Sequence, residues 1–229
     1  MKFVHLHIPK TAGTSLRESL AAVHPELEVR QIHEAATAPD AGSADVISGH
    51  LSHELAHGYS DQIVTVLRHP VDRFVSIYFF WRMLYDKNVE RSRKTTLART
   101  LSLLEFARAM DEPELCSELM NRMCWQLHSS FRLNRRFEIR RDSALTQTGL
   151  AAGALENLRG YAVVGFQDRY GAFVEALNTR FELKIPNRKI NVTANRSAVE
   201  DLTHAELSAI LPWVTADMEL YSAARRHFG

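Results

Sequence analysis

Two cysteines in 229 residues, Cys116 and Cys124, are too few for a disulfide framework, and neither has the neighbours of a zinc or redox motif. Eight positions apart in a helical pattern, they fit free thiols in a reducing compartment. An excess of one charge is also missing: 28 Lys and Arg stand against 27 Asp and Glu, a formal net charge of +1. That balance excludes the whole-protein field expected of a nucleic-acid or membrane-surface binder, so any basic site must be local. No apolar run reaches the length of a signal peptide or membrane span, and Met1-Lys2 leads directly into a short β-rich run. The expectation is a cytoplasmic chain without a membrane span. At 45% hydrophobic and 24% charged, it has the composition of a soluble protein with a substantial core.

What is present is an alternation of short β-branched runs with longer helical patterns. Strand signals fall at 2–8 (KFVHLHI), 27–33 (LEVRQIH), 44–49 (ADVISG), 62–68 (QIVTVLR) and 161–166 (YAVVGF). Several are apolar almost throughout, as strands covered on both faces should be. Helical patterns fall at about 14–22, 71–87, 97–109, 113–128, 168–182 and 203–228, the last interrupted near Pro212. This predicts an α/β fold over 1–229 as one domain: three layers, with a mostly parallel sheet of about five strands flanked by helices. Residues of about 85–155 read as a helical insertion between the last two strands. Within it, 132–141 (RLNRRFEIRR) packs five arginines into ten residues, a solvated loop or a surface for an acidic substrate.

The stretch FVHLHIPKTAGTSLRESL, residues 3–20, reads as a buried strand running into a turn that opens a helix. After a parallel strand, the helix start presents unpaired backbone N–H groups and the positive end of the helix dipole, which suits an anion. Gly13 allows close backbone approach, Thr11, Thr14 and Ser15 offer hydroxyls, and Lys10 supplies a point charge. A Walker A loop would place its lysine directly after the second glycine. Here Lys10 precedes Gly13 and the chain has no Gly-Lys pair, which disfavours an ordinary ATPase or kinase. A second constellation follows the strand IVTVL: Arg68-His69-Pro70 at its carboxyl end, with Pro70 suited to a first helical turn and Ser76 about two turns further on. A guanidinium and a hydroxyl there could grip a second phosphate.

Together, PKTAGTS after the first strand and LRHPVDRFVS after a later one resemble the two cofactor motifs of the sulfotransferase superfamily, which uses 3'-phosphoadenosine 5'-phosphosulfate (PAPS). The resemblance assigns Lys10, Thr11, Ala12, Gly13, Thr14, Ser15 and Leu16 to the 5'-phosphosulfate, and Arg68 and Ser76 to the 3'-phosphate. It implies a P-loop-like fold and a leaving group of 3'-phosphoadenosine 5'-phosphate (PAP), with no metal required. The wording IPKTAGTS is similar to the carbohydrate branch, the heparan sulfate 2-O-sulfotransferases and their bacterial relatives. Weaker likeness extends through VVGFQDRYGAFVEAL and DMELYSAA, while the helical middle is not covered. In that branch a Gly-His pair supplies the base, which makes His50, after Gly49, the candidate to take a proton from a hydroxyl acceptor, most plausibly a carbohydrate. An imidazole neutral near pH 7 suits that role.

One pattern competes. Residues 53–57 read His-Glu-Leu-Ala-His, matching the zincin template in which two histidines one helical turn apart bind zinc. Gly58 and the strand soon after leave a helix of about two turns, and no third histidine follows in register. A zinc hydrolase is therefore the lesser reading, beside a non-catalytic PAP-binding module. His5 and His7, alternating with Val4, Leu6 and Ile8, are expected as core histidines, and Trp81, Trp125, Phe79 and Phe80 as core aromatics. The polar segment 185–197 (IPNRKINVTANRS) is either a surface loop or a closure over the cofactor that brings Arg188 and Lys189 near phosphate. Neither the oligomeric state nor the exact acceptor is written in these motifs.

Overall fold

Five short strands, β1 (Phe3–Leu6), β2 (Val29–Ile32), β3 (Val46–Gly49), β4 (Ile63–Leu67) and β5 (Val163–Phe166), form one sheet in the order β2-β3-β1-β4-β5. All four pairings are parallel. The computed structural model describes residues 1–32, 40–109, 111–128, 147–187 and 197–229; the arginine-rich stretch 132–141 and residues 188–196, with Arg188 and Lys189, lie outside them. The α/β class and the five parallel strands expected from the sequence are present, each strand shorter than its apolar pattern.

From β1 the chain passes through α1 (Gly13–Val23) to the edge strand β2, returns through β3 and α2 (His53–Tyr59), and then crosses to β4 on the other side of β1. The loops after β1 and β4 therefore leave the sheet beside a switch in direction, where parallel sheets bind ligands. Alternation along β1 sorts its side chains. Val4, Leu6 and Ile8 pack against α7 (Arg122–Leu127), α8 (Gln147–Arg159) and α11 (Thr215–Phe228). Phe3 faces the opposite layer, with Leu16 and Leu20 of α1 and Phe173 and Leu177 of α9 (Tyr170–Phe181). These are the two helical layers around the sheet.

A third core has no strand in it. Helix α3 (Pro70–Asp86) packs with α4 (Arg93–Thr100), α5 (Leu103–Arg108), α6 (Pro113–Leu119) and α10 (His204–Ile210), burying Phe74, Trp81, Phe106, Leu115 and Trp213. The single helices expected over 97–109 and 113–128 are each two. Ser102 restarts the first, its hydroxyl accepting from Glu105 N while the Glu105 carboxylate accepts from Ser102 N, a capping box. The second breaks at Asn121, which sits in the left-handed region at φ 45. Helix α2, seven residues long, is the two-turn helix allowed for at 53–57; α8 was not expected, because it is rich in Ala and Gly and few large apolar residues mark its period.

Asn121 and Asp217 explain the second break. Asn121 Oδ1 accepts from Ala216 N and Asp217 N at the start of α11. The Asp217 carboxylate accepts from Met123 N and Cys124 N at the start of α7. Each residue caps the other's helix, and both side chains are buried. The Arg73 guanidinium, wholly buried on α3, offsets the carboxylate charge; burial lowers the Arg73 pKa to about 10 and raises that of Asp217.

Candidate functional site

The loop from His7 to Ala12 carries two residues in the left-handed conformation, Lys10 at φ 69 and Ala12 at φ 75. For non-glycine residues this costs on the order of 1–2 kcal/mol each, a strain that collects at functional sites. Thr11 is fully buried and donates its hydroxyl to Ile8 O at 2.8 Å, closing the turn. Helix α1 then starts at Gly13 with no side-chain cap and no acidic residue in its first turn. Its positive end is left to whatever anion comes. Leu16 is part of the helix body: its N–H donates to Ala12 O, and its side chain lies in the core. Thr14 is half-buried, and Ser15 is buried at the first turn.

The two sequence motifs meet here. Arg68, at the carboxyl end of β4, donates from Nη1 to Lys10 O at 2.8 Å and from Nε to Asp72 Oδ2 at 2.7 Å. One guanidinium thus ties the lysine's own carbonyl to the start of α3. The Lys10 ammonium lies 3.8 Å from the centroid of the Phe80 ring, so Phe80 is a support for that cation and more than core. Ser76, two turns into α3, is buried, and its Oγ has no hydrogen-bond partner among the described residues. An unpaired buried hydroxyl carries a desolvation cost that a bound oxyanion would remove.

Beside Arg68 a cavity of about 370 Å³ opens between the ends of β4 and β5 and α11, lined by His69, Asp72, Gln167, Asp168, Glu200 and Tyr221. The His69 and Tyr221 rings meet edge to face at 5.6 Å.

On the α1 face of the sheet, three imidazoles line up. His5 Nδ1 lies 2.9 Å from Ser48 Oγ on β3. The His5 ring stacks on His7 at 5.4 Å between centroids, and His7 lies 4.9 Å from His50. Burial, and then the charges of His50 and Arg17, push His5 down to about 3. Burial, His50, His5, Arg17 and Lys10 hold His7 well below the usual imidazole range. Both are neutral at pH 7. His50 follows β3 at the ligand edge, and Gly49 precedes it because a Cβ there would stand 2.1 Å from Ile32 O on β2. Gly13 has a similar reason: a Cβ would stand 2.2 Å from the His7 ring. The sequence suggested an anion as the reason for Gly13; in the structure, the ring of His7, one residue past the end of β1, fills the notch.

The histidines of 53–57 are directed elsewhere. His53 Nδ1 meets Tyr161 OH at 3.1 Å with the two rings parallel, and His57 pairs with Asp61 at 3.0 Å. Among the described residues no three His, Cys, Asp or Glu side chains come together as a metal-ligand set, and no helix is long and apolar enough to cross a membrane. Trp81 and Phe79 belong to the α3 core, and Trp125 packs on the sheet core.

A parallel sheet, an uncapped helix start behind a lysine-bearing loop, and an arginine from the second motif holding that loop define an α/β protein with a candidate anion site at the carboxyl edge of its sheet. The sulfotransferase family model matches residues 1–222, and the chain belongs to that family. Its activity class is sulfuryl transfer, with a hydroxyl-bearing acceptor. A comparison with curated proteins gives no match.

Proposed function

We propose that the protein transfers a sulfuryl group from PAPS to a hydroxyl of a carbohydrate or glycoconjugate, acting as one domain, with His50 as base. The observation that carries this reading is the 2.8 Å bond from Arg68 Nη1 to Lys10 O, which makes one site of two motifs 58 residues apart. The residues fit the donor: α1 begins without a cap or an acid, and Ser76 Oγ is a buried hydroxyl without a partner among the described residues. When bound, PAPS would supply an activated sulfuryl group on its 5'-phosphate.

The chain's own residues then have separate tasks. The first-turn amides of α1 and the Lys10 ammonium stabilise negative charge on the sulfuryl and bridging oxygens, as preorganised donors do. Arg68 and Ser76 hold the 3'-phosphate and set its register. The cavity beside Arg68 suits the purine, with Tyr221 and His69 as aromatic wall and Asp168 and Gln167 as acceptors for an exocyclic amine. His50 takes the acceptor proton as the acceptor oxygen bonds to sulfur. The bond from sulfur to the 5'-phosphate oxygen breaks, and PAP leaves with the electron pair.

Calorimetry with PAP, against adenosine 5'-phosphate, magnesium ATP and zinc, tests the reading. Tight PAP binding without metal supports it and should raise the melting temperature. No PAP binding overturns it, PAP binding without transfer to any hydroxyl leaves a binding module, and a response to zinc alone returns attention to His53, Glu54 and His57.

A further inference from the structure

The proposed base reading leaves His7 unused, although among the described residues its ring meets that of His50, at 4.9 Å between centroids. Four contacts fix His7 in place. Its N–H donates to Gly49 O at 2.8 Å, so its backbone is bound to the residue before His50. Its carbonyl accepts from Gln126 Nε2 on α7 at 2.9 Å. Its ring lies against the Cα of Gly13, where any Cβ would intrude at 2.2 Å. On its other sides stand His5 at 5.4 Å and His50 at 4.9 Å. One imidazole therefore touches both the first residue of the anion-binding helix and the candidate base.

We propose that His7 is a positioning residue for His50: seated in the Gly13 notch, it sets the distance between that imidazole and the start of α1. The inference rests on the sulfotransferase reading for its catalytic consequence, and on geometry alone for the pairing. The groups around His7 all disfavour a second charge. They are His5 on its own strand, Arg17 on α1, Lys10 in the loop and His50 after β3, while Gln126 from α7 is neutral. The proton leaving the acceptor oxygen thus goes to His50 with His7 neutral, and passes to solvent after transfer.

Two measurements test this, and the first needs no PAPS. Histidine NMR titration of the intact protein should show His7 neutral down to pH 5, and the His7 midpoint should move up in His50→Asn, because one of its repelling neighbours is gone. A His7 midpoint unmoved by His50→Asn overturns the pairing; a purely structural His7 would give that result. The second is a double-mutant cycle on kcat and on PAP affinity. Gly13→Ala should lower kcat about tenfold or more by displacing the His7 ring, a loss read apart from any change in PAP affinity because Gly13 also belongs to the anion loop. In a His7→Ala background the same glycine substitution should cost nothing further. If Gly13→Ala is equally damaging with and without His7, or if its whole effect falls on PAP affinity, the notch serves the anion and the positioning role is wrong. Failure of PAP to bind the unaltered protein would instead remove the sulfotransferase mechanism and leave the NMR result standing.

Discussion

Helices α5 and α10 begin in the way short helices usually do, and α1 does not. Ser102 and Thr203 each accept from the backbone three residues on and are answered by Glu105 and Glu206. Both ends of the reciprocal box are filled, and an acid faces the dipole. Helix α1 has Ala12 in place of a capping side chain, Gly13-Thr14-Ser15 in place of an acid, and two strained residues leading in. The same chain that closes two helix starts with its own side chains leaves this one open, at the one strand end where a second motif reaches over to hold it. Helix α9 also begins without a capping side chain or an acid; what sets α1 apart is the pair of left-handed residues before it and the Arg68 bond to Lys10 O.

Several substitutions would break or sharpen that contrast. The largest effects should come from the groups that use the open end: Lys10→Ala and His50→Ala should each reduce turnover by about a thousandfold, in the range of lost electrostatic and general-base stabilisation. For His50→Ala the PAP affinity should stay within about twofold, a split read by pairing kinetics with calorimetry. Next comes Arg68→Ala, which removes both a phosphate ligand and the brace on Lys10 O, and should weaken PAP binding by about tenfold to a hundredfold at unchanged salt. Arg68→Lys should not rescue it, since a lysine cannot serve Lys10 O and Asp72 at once.

Thr14→Glu puts an acid in the first turn of α1, as Glu105 stands in that of α5. It should oppose PAP by about tenfold while raising the melting temperature by about 1–3 °C, because the acid satisfies the dipole that the anion would otherwise satisfy. Equal signs for the two effects would sink the comparison. Acid should also act through the buried imidazoles under the loop. His5 is lowered from 6.5 to about 3, so between those values the unfolded chain binds a proton that the folded one does not, and stability falls as pH falls. At pH 5 this amounts to about 2 kcal/mol, seen as a lower melting temperature than at pH 7 and a smaller drop in His5→Asn. The smallest effects belong to the closed starts: Ser102→Ala and Thr203→Ala should each cost about 1 kcal/mol with PAP affinity untouched.

The fold was largely legible because it rests on local signals. Strand patterns, the proline at the start of α3 and the break at Pro212 are written in neighbouring residues. The candidate loop drew attention for the same reason, since Lys10 to Ser15 are contiguous. What escaped depends on partners far along the chain. Phe80 holds the Lys10 ammonium from α3, Gln126 holds His7 O across 119 residues, and Asn121 stops one helix in order to cap another. His7 read as core because alternation along β1 says only which face it takes. That its ring fills the space left by Gly13 and meets His50 requires β1, β3 and α1 together. The capping box at Ser102 was present in the sequence and would have divided the 97–109 pattern correctly.

The mutual capping of Asn121 and Asp217 has a consequence in time. Residues 7–13 are made before Gln126 of α7, which holds the strand end that orients them, and α7 in turn is capped by the carboxylate of Asp217, made later still. The loop therefore precedes, in synthesis, the residues that set it. A nascent chain stalled before residue 217 should therefore have its sheet partners but no ordered PAP site, and release of the last helix should switch binding on in a single step.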